Sequence, residues 1–135
     1  MNVKRYIAAS LAVFVAGVVL DYVIQAVILK SAYEATQSVW RPDVASKAWI
    51  IVLVDLIIAF PFTYIFVKGY EGKGMLEGVR FGAIVGILIG LPMSYGMYAV
   101  LPIPHSLALQ WFLYGLIEVI LMGITAAAVY RPKRA

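Results

Sequence analysis

Four long apolar segments constrain this sequence more than any other feature. They cover residues 6–29, 48–67, 79–101 and 107–130, and Lys or Arg residues lie close to most of their ends. A helix needs about 20 apolar residues to cross the hydrocarbon core of a bilayer. Because backbone polar groups inside lipid must be satisfied within the segment, each is expected to be an α-helix. The sequence therefore predicts an all-α fold, a four-helix transmembrane bundle that forms a single membrane domain over residues 1–135.

The composition supports lipid as the solvent of this chain. Hydrophobic residues make up 64% of the sequence and charged residues only 13%, whereas soluble domains average about 25% charged residues. The first apolar segment is longer than a signal-peptide core of about 7–15 residues, so we expect an uncleaved first span. The absence of cysteine and the single histidine exclude disulfides, Cys-ligated metals and a bis-histidine haem. We predict neither a cofactor nor a metal site.

The positive charges predict the orientation in the membrane. Eight of the eleven Lys and Arg residues are expected at the side that carries both termini and the 69–77 connection: Lys4, Arg5, Lys68, Lys73, Arg80, Arg131, Lys133 and Arg134. The other three are Lys30, Arg41 and Lys47. Because cytoplasmic segments carry an excess of Lys and Arg, both termini are predicted to be cytoplasmic. The expected partner of these charges is the lipid bilayer, and no basic stripe with interleaved aromatic residues indicates nucleic acid.

Glycines recur at every fourth position along the third span. The row is Gly74, Gly78, Gly82, Gly86 and Gly90, and Ser94 continues it. Residues four apart lie on one face of a helix, so this face is a smooth groove that lets another helix approach closely. Small residues at 8, 12 and 16, or at 115, 123 and 127, offer a partner surface inside the bundle. A homodimer or another membrane subunit is the alternative partner.

Three carboxyl groups lie deep within the apolar spans: Asp21, Asp55 and Glu118. At 1.5 Å of rise per residue, they lie about 12–17 Å below the boundary opposite the termini. The hydrocarbon core is about 30 Å thick, so the three acids are expected near one level. No Lys or Arg of the four spans reaches that depth. The acids must therefore be protonated, share protons, hold a cation or meet a basic group from another subunit.

Helical periodicity predicts which other residues face these acids. Gln25 shares a face of the first span with Asp21, and Tyr114 lies close to the face of Glu118. The third span runs in the opposite direction to the second, so the hydroxyl groups of Ser94, Tyr95 and Tyr98 are expected at a depth similar to that of the acids. These five residues and the three acids form the predicted ligand or proton site of eight residues.

Two hypotheses for function follow from the acids. Intramembrane carboxyls are costly and usually functional or paired, which favours cation- or proton-coupled transport or ion binding. The alternative is a non-catalytic structural or assembly subunit whose acids tie helices or a partner together. An enzyme is not expected, because no nucleophile motif surrounds any serine. His105 is interpreted as a loop residue and Ser106 as the N-cap of the last helix.

One central stretch carries a resemblance to a known family. It runs Lys68-Gly69-Tyr70-Glu71-Gly72-Lys73-Gly74 and continues as Glu77-Gly78-Val79-Arg80-Phe81-Gly82. It resembles a widespread family of uncharacterised bacterial four-span membrane proteins, which share a similar pattern over most of the chain. The resemblance implies a bacterial inner (plasma) membrane protein of this topology and carries no activity with it. Asp55 is not part of the shared pattern.

Overall fold

The computed structural model describes residues 1–131 of the chain. It is all-helical, with 84% helix and no strand among the described residues. Four helical segments are long and apolar enough to cross a membrane: Val3–Ile28, Val44–Lys68, Met75–Val100 and His105–Val129. The prediction of an all-α protein with four candidate spans is confirmed. Lys133 and Arg134, which entered the prediction of orientation, lie outside the described residues.

Five α-helices and three short irregular helical segments make up the fold. In chain order they are α1 (Val3–Tyr22), a π-helical segment (Val23–Ile28), α2 (Lys30–Glu34), two 3-10 turns (Gln37–Val39 and Val44–Lys47), α3 (Ala48–Lys68), α4 (Met75–Val100) and α5 (His105–Val129). The long helices alternate in direction. One end of the bundle, here the termini end, therefore holds both chain termini and the connection between α3 and α4. The opposite end holds α2 and the short link between α4 and α5.

Two helix starts differ from the sequence prediction. Helix α4 begins at Met75, because the Glu77 carboxylate accepts the Lys73 backbone N–H at 2.9 Å and orders the turn before the helix. Helix α5 begins at His105, and Pro104 occupies its N-cap position. Ser106 lies inside the first turn of α5, so its prediction as the N-cap was wrong. Proline suits this boundary because its ring fixes φ and it has no N–H to satisfy.

The long helices pack in the lateral order α3, α1, α5, α4. Helix α1 lies between α3 and α5, and the most extensive helix–helix contact joins α4 to α5. Aromatic side chains close the remaining side between α3 and α4. The Phe81 ring lies 4.9 Å from the Phe62 ring and 5.4 Å from the Phe66 ring, measured between centroids. The four long helices therefore enclose an interior rather than a flat layer.

Glycines set the close approach of α4 to α5. A Cβ atom added at Gly78 would lie 2.3 Å from the Gly123 carbonyl oxygen, and one added at Gly82 would lie 2.5 Å from the Ile120 Cα. Both distances are far below van der Waals contact, so only glycine allows these backbones to meet. The same face continues at Gly86, where the added atom would lie 2.8 Å from a Leu116 methyl group.

The ends of the predicted glycine row behave differently. An added Cβ at Gly90 would lie at an ordinary 3.7 Å from the Phe112 ring. Gly74 precedes the helix with φ of 79°, and nothing lies within 4 Å of its added Cβ. Its positive φ makes glycine favourable for the turn, which is a conformational role rather than the packing role predicted for it.

The largest hydrophobic cluster lies toward the termini end, whereas the opposite end combines a few buried side chains, Leu29, Ile103 and Leu107 among them, with an exposed stretch of α3. The buried core contains residues from the termini halves of α1, α3 and α5: Ala9, Val13, Ala59, Phe62, Phe66, Val67, Ala126, Ala127 and Tyr130. The Tyr6 hydroxyl donates to the Phe60 carbonyl oxygen at 3.0 Å and ties α1 to α3 at this end. At the opposite end every residue from Trp49 to Val54 is exposed in the isolated chain. This stretch of α3 is therefore only partly covered by the other helices at that end, which we refer to as the open end.

Candidate functional site

The three predicted acids come from three different helices. Asp21 lies in the last turn of α1, Asp55 in the first half of α3 and Glu118 in the middle of α5, and each side chain is partly buried. The Glu118 carboxyl is close enough to interact electrostatically with both Asp21 and Asp55, and Asp21 also interacts with Asp55. The tertiary fold therefore gathers the acids into one electrostatically connected group.

These carboxyl groups have no hydrogen-bond or ion-pair partner among residues 1–131. The ion pairs in that part of the chain join Arg41 to Asp43 and Lys73 to Glu71, both on exposed connections. A partly buried carboxyl with no protein donor leaves its oxygen atoms available to water, a proton or a cation. The acids therefore do not act as hydrogen-bonding struts between helices within the described chain.

Two of the acids line an inner cavity of about 520 Å³. Asp55 and Glu118 face it from α3 and α5, and Ser94 contributes a buried hydroxyl from α4. Apolar residues and glycines form most of the remaining wall: Ile58, Phe62, Val85, Gly86, Ile89, Gly90, Met93, Met97, Gly115, Val119 and Met122. This cavity extends from the acid level toward the packed core and holds the deeper part of the site.

The third acid lines a larger, outer cavity of about 790 Å³ at the open end. Asp21 lies on its wall together with the charged residues Lys30 and Glu34 of α2. The other lining residues are Gln25, Ala26, Tyr33, Gln37, Trp40, Val44, Ile51 and Trp111. Much of this wall comes from the segment between α1 and α3, which folds over the end of the bundle.

Gln25, Tyr33 and Trp111 line both cavities and lie at the boundary between them. The Tyr33 hydroxyl donates to the Gln25 side-chain carbonyl oxygen, and the Trp111 indole N–H donates to the Tyr33 hydroxyl at 2.8 Å. We refer to these three residues as the partition. It links the π-helical segment, α2 and α5, and it lies between Asp21 in the outer cavity and Asp55 and Glu118 in the inner one.

The local backbone helps to form the partition. Residues Val23–Ile28 form a π-helical segment, and the Leu29 N–H bonds to the Ile24 carbonyl at 2.9 Å, five residues back. Such segments are rare and frequently occur at functional sites. Burial raises the pKa of Tyr33, and the nearby Asp21 adds to this effect, although the hydrogen bond from Trp111 opposes it. Tyr33 therefore remains a neutral phenol that can donate to Gln25.

The structure brings together five of the eight predicted site residues at these cavities. Asp21, Gln25, Asp55, Ser94 and Glu118 line one or both of them. The other three predicted residues, Tyr95, Tyr98 and Tyr114, line neither cavity. Tyr95 and Tyr98 instead pack against His105 where α4 meets α5, and the Tyr95 hydroxyl lies 3.1 Å from His105 Nε2. Helix α4 is rotated so that Ser94, rather than the tyrosines, faces the interior.

Sequence reasoning missed the aromatic contribution to the site. Tyr33, Trp40 and Trp111 are not among the eight predicted site residues, yet all three line the outer cavity. No periodicity signal reveals them, because two of them lie in the irregular segment between α1 and α3. Among the described residues, no group of three or more His, Cys, Asp or Glu side chains is arranged to hold a metal ion.

Comparison of the chain with protein-family models, with curated proteins and with solved structures returned no match. The features that indicate a function are therefore the two cavities, the partition, and the acids without a hydrogen-bond or ion-pair partner in the described chain.

Proposed function

We propose that this chain is a small membrane protein that binds a cation within the bilayer and moves it in exchange for protons. Asp21 receives the cation in the outer cavity, and Asp55 with Glu118 receive it in the inner cavity. The observation that carries the proposal is that all three carboxyls line cavities and have no hydrogen-bond or ion-pair partner within residues 1–131. A structural role would instead favour acids that are satisfied by neighbouring helices.

The order of the groups supports a stepwise path. A cation that enters at the open end meets Asp21 first. The partition must then rearrange before the cation reaches Asp55 and Glu118 in the inner cavity. A cation that binds a protonated carboxyl displaces its proton, which couples the movement of the two charges. The packed core at the termini end leaves the far side closed in this conformation. No residue is assigned a catalytic role in this proposal.

The alternative function is a structural or assembly subunit of a membrane complex. The observation that favours it is the run Trp49–Val54 of α3, whose residues are all exposed in the part of the chain that the structure describes. A second copy of the chain or another membrane subunit would cover this surface. In that case the acids would meet basic groups of the partner.

Cation–proton exchange is testable in liposomes that contain the purified protein and a trapped pH-sensitive dye. We expect an imposed gradient of sodium, potassium, guanidinium or tetraethylammonium to change the internal pH for at least one of these ions. Asp55→Asn and Glu118→Gln should each reduce the rate to that of protein-free liposomes, because an amide cannot release a proton. Asp43→Asn, which changes an exposed acid paired with Arg41, is the matched control. Exchange that persists in both inner-cavity variants would contradict the proposal.

We also propose that both termini lie in the cytoplasm of a bacterial cell and that the open end faces outward. The distribution of Lys and Arg and the resemblance of the 68–82 stretch support this orientation. Because the chain has no cysteine, single-cysteine variants report sidedness without background. A membrane-impermeant maleimide should label Ser38→Cys in intact bacteria, and Glu71→Cys only after permeabilisation. The reverse labelling pattern would invert the orientation and the direction of entry.

A further inference from the structure

The outer cavity has a wall of three aromatic rings in addition to its carboxyl group. The centroids of the Tyr33 and Trp40 rings are 5.4 Å apart at an interplanar angle of 88°, and those of Trp40 and Trp111 are 5.8 Å apart at 65°. Successive rings thus meet edge to face and form a bent aromatic surface. All three rings line the cavity, and aromatic rings attract cations through their π-electrons.

Hydrogen bonds to the protein occupy the polar atoms of these rings. The Trp40 indole N–H donates to the Thr36 hydroxyl at 2.8 Å, and the Trp111 indole N–H donates to the Tyr33 hydroxyl at 2.8 Å. The Tyr33 hydroxyl in turn donates to Gln25. Because both indole N–H groups and the phenol proton are already hydrogen-bonded, the three rings can contact a ligand mainly through their π surfaces. The same bonds hold the rings in position before any ligand arrives.

The charge of the cavity is complementary to a cation. Asp21 and Glu34 line it with one ammonium group, that of Lys30, and neither carboxylate forms an ion pair with Lys30 in the described chain. Asp21 is partly buried at the end of α1, whereas Lys30 and Glu34 are exposed residues of α2. The deep part of the cavity therefore carries negative charge, and the positive side chain lies at its exposed rim.

We infer that the outer cavity is a binding site for an organic ammonium ion, with the aromatic wall of Tyr33, Trp40 and Trp111 around the cationic head and Asp21 as its counter-charge. This inference rests on the proposed function and names the class of cation. Quaternary ammonium ions bind to aromatic cages through cation–π attraction and need no hydrogen-bond acceptors. The cavity volume of about 790 Å³ suits a small organic molecule.

The lining disfavours a bare inorganic ion as the preferred ligand. Calcium and magnesium take about six or more oxygen ligands, which a wall of aromatic rings and aliphatic residues such as Ala26, Val44 and Ile51 does not supply. A quaternary ammonium ion is bulky and weakly hydrated, so the apolar wall replaces its water shell at little cost. The same wall and acid together distinguish it from a neutral molecule of equal shape.

Thermal unfolding of the detergent-purified full chain tests the inference. Choline and tetraethylammonium should raise the melting temperature in a concentration-dependent way, because a ligand that binds the folded state stabilises it. The neutral isostere 3,3-dimethylbutan-1-ol should have no effect, and sodium or potassium chloride at the same ionic strength should have a smaller one. Trp40→Leu and Asp21→Asn should each weaken the affinity for tetraethylammonium by about 3- to 30-fold.

The matched control is Trp49→Leu. Trp49 lies at the same end of the bundle, is 64% exposed and has no aromatic neighbour in the described chain, so its replacement should leave the affinity unchanged. Each variant is compared with its own melting temperature without ligand, which separates loss of binding from loss of folding. Equal losses in the Trp40 and Trp49 variants would overturn the aromatic site.

The outcomes also separate this inference from the proposed function. If sodium, potassium or guanidinium stabilises the protein through Asp21 while the quaternary ions do not, the ligand class is wrong and the cation site remains. If no cation changes the melting temperature, both are overturned. If quaternary ions bind but produce no pH change in liposomes, the site is correct and the transport function is not.

Discussion

Alanine at Gly78 is expected to destabilise the bundle by about 3 kcal/mol, near the upper end of the usual cost of overpacking. The added methyl group would lie 2.3 Å from the Gly123 carbonyl oxygen and 2.9 Å from the Ala127 Cβ. Both neighbours belong to α5, and one of them is backbone, so a rotamer change cannot relieve the clash. The helices must instead move apart and lose the van der Waals contacts that hold membrane helices together. Reversible unfolding in mixed detergent micelles measures the loss.

The contact is reciprocal, which provides an internal check. A Cβ added at Gly123 would lie 2.2 Å from the Gly78 carbonyl oxygen, so Gly123→Ala should have a similar cost. Once the helices have separated, the second methyl group adds little, and the double variant should cost less than the sum of the two single variants.

A glycine elsewhere in the same helix is the matched control for this prediction. Nothing lies within 4 Å of a Cβ added at Gly96 of α4. Gly96→Ala should leave the stability unchanged or raise it by up to about 1 kcal/mol. A comparable loss at Gly96 and Gly78 would mean that helix packing does not explain the glycine row.

Glutamine at Glu118 is expected to stabilise the ligand-free protein by about 1–3 kcal/mol at an alkaline pH at which the carboxyl is ionised. An ionised carboxylate in the centre of a span costs about 2.5–3.5 kcal/mol on insertion scales, and the Glu118 carboxyl also interacts with Asp21 and Asp55. Replacement with an amide removes both the cost of the buried charge and the repulsion from the other two carboxyls. No hydrogen bond or ion pair is lost, because none reaches this side chain within the described chain. Unfolding under the same detergent conditions measures the change.

Glutamine at Glu77 is expected to lower the stability of the protein instead. Its carboxylate accepts the backbone N–H groups of Glu71 at 2.5 Å and Lys73 at 2.9 Å, and one of these bonds is lost with an amide. Glu77→Gln should cost about 1–2 kcal/mol. A loss of more than about 1 kcal/mol in Glu118→Gln would show that this acid supports the fold, and would favour the assembly-subunit alternative over cation binding.

The sequence predicted the elements of the fold well and the site only in part. Apolar runs bounded by charges are sufficient to locate four helices that are long and apolar enough to cross a membrane, since in lipid a single segment can satisfy its own backbone groups only as a helix. The start of α4 at Met75 was missed, because a solvated first turn is not apolar and depends on a carboxylate that caps the preceding turn. Depth along a span also follows from residue number, and this placed the three acids at similar depths.

The rotation of each helix relative to its neighbours does not follow from residue number. Periodicity relates residues within one helix, so it linked Gln25 to Asp21 but put Tyr95 and Tyr98 in the interior with Ser94. The close contact of α4 with α5 through Gly78, Gly82 and Gly86 determines the actual rotation, and that contact leaves only Ser94 of the three at the inner cavity.

By itself, the sequence determined that the chain is an all-helical protein with four segments able to cross a membrane, and that three carboxyls lie deep within them. These properties depend on the apolar content of each segment and on distance along one helix. Only the tertiary structure decided that the acids divide between two cavities, that Gln25, Tyr33 and Trp111 form the partition, and that Trp40 belongs to the outer cavity. The physical reason is that these contacts join residues far apart in the chain, through an irregular segment whose path depends on the helices it packs against.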